Sequence, residues 1–134
     1  MPLQITKQSI DIGIITKDAA PMLSFYRDTL GLEFEGEMAM AGGGNMVRLK
    51  CGTTVVKIVT HGKEPEGSAP PGGIRTATGY RYWTISVSNI EAATAECADA
   101  GYSVTVPVTE IRPGVSISMI EDPDGNWVEL LQIT

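Results

Sequence analysis

Apolar and polar positions along this chain change period twice, from the alternation of a strand to the three-and-four spacing of a helix and back. Ser9 to Thr16 puts Ile10, Ile12 and Ile14 on one face, which predicts a strand with Asp11 pointing the other way. Asp18 is suited to an N-cap, and Pro21 is tolerated in a first helical turn. Ala19, Leu23, Tyr26 and Leu30 then recur at helical spacing until Gly31 stops the run. Leu32 to Ala41, Met46 to Cys51 and the β-branched Thr53 to Thr60 read as three more strands, the first two joined by a hairpin turn at Gly42-Gly43-Gly44-Asn45.

His61 to Gly79 holds Pro65, Pro70, Pro71 and five glycines, a composition against regular structure. It reads as a linker, with a mobile flap over a site as the alternative, since long loops in compact domains are often functional. The second half then repeats the first. Tyr80 to Ser88 is a strand, and Ser88-Asn89-Ile90-Glu91 has capping-box spacing. A helix to Ala100 carries Ile90, Ala93, Cys97 and Ala100 on one face before Gly101. Tyr102 to Ile111, Val115 to Ile120 and the stretch after Pro123-Asp124-Gly125-Asn126 are strands. Asp18 lies 13 residues before Gly31 and Asn89 lies 12 before Gly101, so the halves match in spacing as well as in order. The prediction is one domain over 1–134, with a first module at about 8–60, a linker at 61–79 and a second module at about 80–134.

The last strand contains an anomaly. Glu129 interrupts Trp127, Val128, Leu130 and Leu131, and a carboxylate in so apolar a strand needs a partner, a function or water. Composition narrows the setting. With 134 residues, 43% of them hydrophobic, the chain can bury one core. It has no apolar tract long enough for a membrane span and no basic-then-apolar leader, so the expectation is a soluble, cytoplasmic protein with no membrane partner. Cys51 and Cys97 form no disulfide framework and read as reduced thiols. A net charge of −6 and the absence of a Lys/Arg run argue against nucleic acid.

The strand ending in Lys17-Asp18, the segment Phe25-Tyr26-Arg27-Asp28-Thr29-Leu30-Gly31-Leu32, and Asp122-Pro123-Asp124-Gly125-Asn126 leading into Val128-Glu129-Leu130 together resemble the vicinal oxygen chelate superfamily, which includes glyoxalases, extradiol dioxygenases and bleomycin-binding proteins. The resemblance covers essentially the whole chain. It implies an α+β fold of two tandem βαβββ modules forming a cup-shaped, partly open β-barrel with helices outside, and commonly a homodimer.

The resemblance also implies where ligands of a metal would stand: on the first and last strands of each module. Seven residues before each helix cap are Asp11 and Tyr82. The last-strand position of the second module is Glu129. Its counterpart in the first is Lys57, or Val56 if one counts from Gly52. Asp11, Lys57, Tyr82 and Glu129 contain no imidazole, and the ammonium and phenol have reference pKa values near 10, so no metal centre or other cofactor is expected. The alternative is Mg²⁺ or Mn²⁺ held by Asp11 and Glu129 with water. Lys57 is expected to supply the positive charge that a metal would bring.

Two function classes follow. One is an enzyme that moves a proton next to a carbonyl, an isomerase, epimerase or lyase type, with Glu129 as base, Asp11 as its paired carboxylate, and Lys57 or Tyr82 stabilising the oxyanion. The other is a non-catalytic small-molecule or antibiotic-binding protein, which the acidic charge favours. A divalent-metal glyoxalase or dioxygenase is a third reading. Arg75 and Arg81 flank the fifth strand and suit either an anionic substrate group or exposed solubilising charge. Tyr80 offers a stacking surface, and Met46 near the hairpin either lines a pocket or fills the core. His61 begins the linker and matches no ligand position.

Overall fold

The computed structural model describes residues 2–134. Two compact units make it up, one running to Glu66 and the other from Gly67 to Thr134, so the boundary falls inside the Pro- and Gly-rich segment. Each unit has the order strand, helix, three strands, and the fold is α+β.

In the first unit, β1 (Ile12–Ile15), β2 (Glu33–Ala39), β3 (Gly44–Cys51) and β4 (Thr54–His61) form a sheet in the order β1-β4-β3-β2. β1 runs parallel to β4, and the other neighbours are antiparallel. The alternation of strands gives the sheet two faces. Val47, Leu49, Val56 and Ile58 share one face and are all but inaccessible, as are Met22, Phe25 and Tyr26 of the helical segment. Fully burying one such side chain is worth about 1.5–3 kcal/mol, so this face is the main source of the unit's stability.

That helical segment differs from the uniform helix expected between Asp18 and Gly31. Helix α1 (Ala19–Leu23) is followed by a π-helical stretch over Ser24–Thr29. The Leu30 amide donates to the Phe25 carbonyl at 2.9 Å, and Thr29 Oγ1 donates to the Ser24 carbonyl at 3.0 Å, both five residues back. The wider turn rotates the segment, so Met22 and Phe25 reach the core beside Tyr26, whereas Ala19, Leu23 and Leu30 are only half-buried. Phe25 and Tyr26 meet edge to face, with centroids 4.7 Å apart. β1 is also shorter than expected, and Ile10 lies outside it, 77% exposed. His61, expected to open the linker, is instead the last residue of β4, paired with Gly44.

The second unit repeats the plan with β5 (Tyr82–Ser86), α2 (Ile90–Asp99), β6 (Val104–Arg112), β7 (Val115–Glu121) and β8 (Trp127–Ile133) in the order β5-β8-β7-β6. Ile120, Val128 and Leu130 form its helix-side core with Ile90 and Cys97. Thr94 and Ser118 are buried together, their hydroxyls 2.8 Å apart, so α2 turns Thr94 inward where Ala93 and Ala100 were expected. The capping box at Ser88–Glu91 does not form: the N-cap is Asn89, one residue later than the box requires, and it makes no side-chain cap bond. The Ile90 amide donates instead to Gln132 Oε1 at 2.8 Å, so β8 caps the helix it packs against.

Between the units' regular elements, residues 73–75 make one turn of 3-10 helix. Among the described residues, no helix is long and apolar enough to cross a membrane.

Candidate functional site

The face of each sheet turned away from its helix carries the polar residues singled out in the sequence. In the second unit, Thr84 of β5 is opposite Glu129 of β8, which is opposite Met119 of β7. One row along, Tyr82 is opposite Trp127, which is opposite Glu121. Tyr82, Thr84, Glu129, Met119, Trp127 and Glu121 therefore share one face. Glu129 is half-buried there, and its Oε1 accepts from Thr84 Oγ1 at 2.8 Å. One carboxylate oxygen is thus fixed by a hydroxyl from the neighbouring strand, and Oε2 is left for another donor.

The segment at 70–76 lies over the end of this face. Gly73 sits so close to the Trp127 indole that a Cβ would overlap the ring, and Arg75 is stacked 5.4 Å from the ring centroid. Trp127 is only 3% exposed as a result, with Nε1 donating to Glu121 Oε2 at 3.1 Å. Arg81 holds the segment down: Nε donates to the Gly73 carbonyl at 2.7 Å and Nη2 to the Pro70 carbonyl at 2.6 Å. Its guanidinium is therefore occupied by backbone. Gly73→Ala is expected to unseat the segment, lowering stability by about 1–3 kcal/mol, the usual range for overpacking. Urea unfolding would show the loss, and tryptophan emission would move to the red as Trp127 becomes wet. Unchanged stability and emission would remove this account of the segment.

Tyr80 is fully exposed, and Tyr82 is 48% exposed. Glu121 was not singled out in the sequence. The signal for it was its place in a strand that pairs with the Trp127 position, which needs the register.

In the first unit, the equivalent row is Gly13, Lys57, Arg48 and Gly36, taken across β1, β4, β3 and β2. Gly13 lies five residues before the cap at Asp18, as Thr84 lies five before Asn89, so the register makes Lys57 and not Val56 the counterpart of Glu129. The neighbouring row is apolar: Ile15, Val59, Met46 and Met38. Met46 is half-buried on this face.

Asp11 precedes β1, and its carboxylate extends the sheet. Oδ1 accepts from the Val55 amide at 3.0 Å and from Lys7 Nζ at 2.6 Å. The Lys7 hydrogen bond first, and then the Val55 amide, hold the carboxyl below the ordinary aspartate value, with the charge of Lys57 adding in the same direction. Asp11 therefore stays ionised at neutral pH.

A family model described as the Glyoxalase/Bleomycin resistance protein/Dioxygenase superfamily matches residues 9–130. The chain belongs to this superfamily. Among solved structures, the chain is similar to SMU.1112c, with 27% identity over 93% of this chain and 98% of that one and a TM-score of 0.73. It is also similar to a glyoxalase family protein from Bacillus cereus, with 16% identity over 99% and 98% and a TM-score of 0.82. The fosfomycin resistance protein FosX from Listeria monocytogenes, solved with Mn(II) and sulfate, is 13% identical over 98% and 95%, with a TM-score of 0.67. The last two likenesses are of fold. No curated protein sequence matches the chain.

Proposed function

We propose that this superfamily member is an enzyme that moves a proton at a carbon next to a carbonyl of a small molecule, with Glu129 as the base. The observation that carries the reading is the Thr84 to Glu129 hydrogen bond. It orients a carboxylate on a face shared with Met119, Tyr82 and Glu121, the last engaged by the Trp127 indole, and it leaves one oxygen unbound. A base needs that combination: a fixed direction, a free lone pair and few competing water contacts. Tyr82, one row away on the same face, has a phenol able to donate to the oxygen on which charge develops. In this scheme Glu129 takes the proton, the Tyr82 hydroxyl donates a hydrogen bond to the enolate oxygen, and Glu129 returns the proton to the same carbon or a neighbouring one.

The superfamily positions do not fit a divalent metal. Lys57 offers an ammonium with no lone pair, and Tyr82 a phenol in place of an imidazole or carboxylate. Asp11 accepts from Lys7 and Val55 through Oδ1 alone. Two carboxylates, Asp11 and Glu129, in different units and without an imidazole, are the donors that remain, so a six-coordinate ion would take most of its ligands from water. The reaction is accordingly written without a metal.

The test is hydrogen exchange in D₂O. A panel of small 2-oxo acids, aldehydes and thioesters is incubated with the protein, and loss of the proton signal next to the carbonyl is followed by NMR. Catalysed exchange in at least one compound is expected. Tight binding of a compound recovered unchanged, with no exchange, would favour the non-catalytic binding protein instead.

A further inference from the structure

The row Gly13–Lys57–Arg48–Gly36 crosses the whole first sheet and places two cations directly opposite each other on β4 and β3. Like charges at directly opposed positions destabilise a sheet. Both side chains are half-buried, which raises that cost by reducing screening.

The available compensation is partial. Arg48 meets Glu35 through Nε at 2.9 Å, which leaves the terminal nitrogens of its fork for another acceptor. Asp11 is near enough to feel the charge of Lys57, but its hydrogen bonds, both through Oδ1, go to Lys7 and Val55 and none goes to Lys57. No hydrogen bond or ion pair closes on the Lys57 ammonium among the described residues. The contrast with the second unit is direct: there the position corresponding to Gly13 is Thr84, whose hydroxyl engages Glu129.

The two glycines at the ends of the row have no structural need to be glycine. Neither has a positive φ, and a Cβ on Gly13 or Gly36 would meet nothing within 4 Å. Their effect is to leave the space beside Lys57 and Arg48 open. The adjoining row of Ile15, Val59, Met46 and Met38 is apolar, with Ile15 48% and Met38 49% exposed. Ile15 also lines an open hollow of about 430 Å³ bounded by the glycine hairpin and His61 to Pro65.

We infer that this face of the first unit is a binding site for a small oxyanion with an apolar body, its carboxylate or phosphoryl group held between Lys57 and the free end of the Arg48 fork and its apolar part lying on Ile15, Met46 and Met38. The ammonium serves as a point charge, and the guanidinium fixes the plane of the group. The glycines provide the room. The site stands on the first unit alone and does not require the chemistry assigned to Glu129.

Thermal unfolding of the full chain tests it, with sodium malonate, butyrate, phosphate and chloride titrated at matched ionic strength. A saturable rise in Tm with malonate, butyrate or phosphate beyond that with chloride is expected, and the order among them tells carboxylate from phosphoryl preference. Lys57→Gln and Arg48→Gln should each weaken the apparent affinity at least tenfold, whereas Lys57→Arg should retain it. Because Arg48→Gln also frees Glu35, the Glu35→Gln variant, which keeps both cations, serves as its companion and should bind at least as well as the parent. Equal response to all four salts, or affinity unchanged in Lys57→Gln, overturns the inference. Glu129→Gln should bind the anion normally, so failure here and failure of the exchange assay are read separately.

Discussion

Glu129→Gln is expected to slow hydrogen exchange next to the carbonyl by about 10²-fold or more, the usual contribution of a general base. The substitution keeps shape and volume. The amide oxygen can still accept from Thr84 Oγ1, now 2.8 Å from the carboxylate, so the side chain should stay in place. What it loses is the basic lone pair. Glu129 is half-buried and makes no ion pair with a neighbouring strand, so the urea midpoint should move little. Thr84→Val examines the same carboxylate from its support. It removes the hydroxyl that fixes Oε1, and a base free to rotate should lose about tenfold in kcat. Thr84→Ser restores the hydroxyl and should restore the rate, which a purely structural role for the Thr84 methyl group would not allow. Exchange by Glu129→Gln at the parental rate would remove Glu129 as the base, whatever the fold.

The pattern of strands and helices was legible because each half alternates its periods in the same order, and the helix caps at Asp18 and Asn89 gave fixed points to count from. Counting seven back reached Asp11 and Tyr82, whereas the register puts Gly13 and Thr84, five back, opposite Lys57 and Glu129. Counting four on from the turn glycines gave Glu129 after Gly125 but Val56 after Gly52, which left Lys57 and Val56 open. Cross-strand neighbours were not legible. Arg48 stands opposite Lys57 through the β3–β4 register, and Gly36 stands opposite Arg48 because a bulge between Phe34 and Gly36 shifts the β2 register. Such a bulge leaves little trace in residue types. Gln132 as the cap of α2 was hidden for another reason: it lies 42 residues away, whereas capping rules read neighbours. Arg81 looked free in sequence since its acceptors are backbone carbonyls, which every residue has. The π-helical stretch escaped because a helical spacing of apolar residues does not distinguish bonds four residues back from bonds five back.

Asp122→Ala should be the most damaging substitution for stability, at about 3 kcal/mol. Asp122 is 3% exposed and organises the turn that launches β8. Its Oδ1 accepts from the amides of Asp124 and Asn126, each at 2.9 Å, and Oδ2 accepts from Asn126 Nδ2 at 2.9 Å. Its backbone closes the same turn, the amide donating to the Asn126 carbonyl at 2.7 Å and the carbonyl accepting from Gly125 at 3.0 Å. Alanine leaves those partly buried donors without the carboxylate, and hydrogen bonds to a charged group contribute about 1.5–3 kcal/mol. Asp122→Asn keeps one oxygen for the two amides and sets its own amide against Asn126, which can turn its oxygen to meet it. It should cost less, about 1 kcal/mol. Urea unfolding of both variants gives the ranking, and equal midpoints for alanine and the parent would show that the turn does not depend on the carboxylate. The consequence reaches the site through register. Side chains alternate along β8, so a slip of one residue would carry Glu129 from the face it shares with Thr84 to the helix side and bring Val128 or Leu130 out in its place. Asp122→Ala is therefore expected to lower exchange activity under conditions where most of the protein is still folded, and Asp122→Asn to spare it.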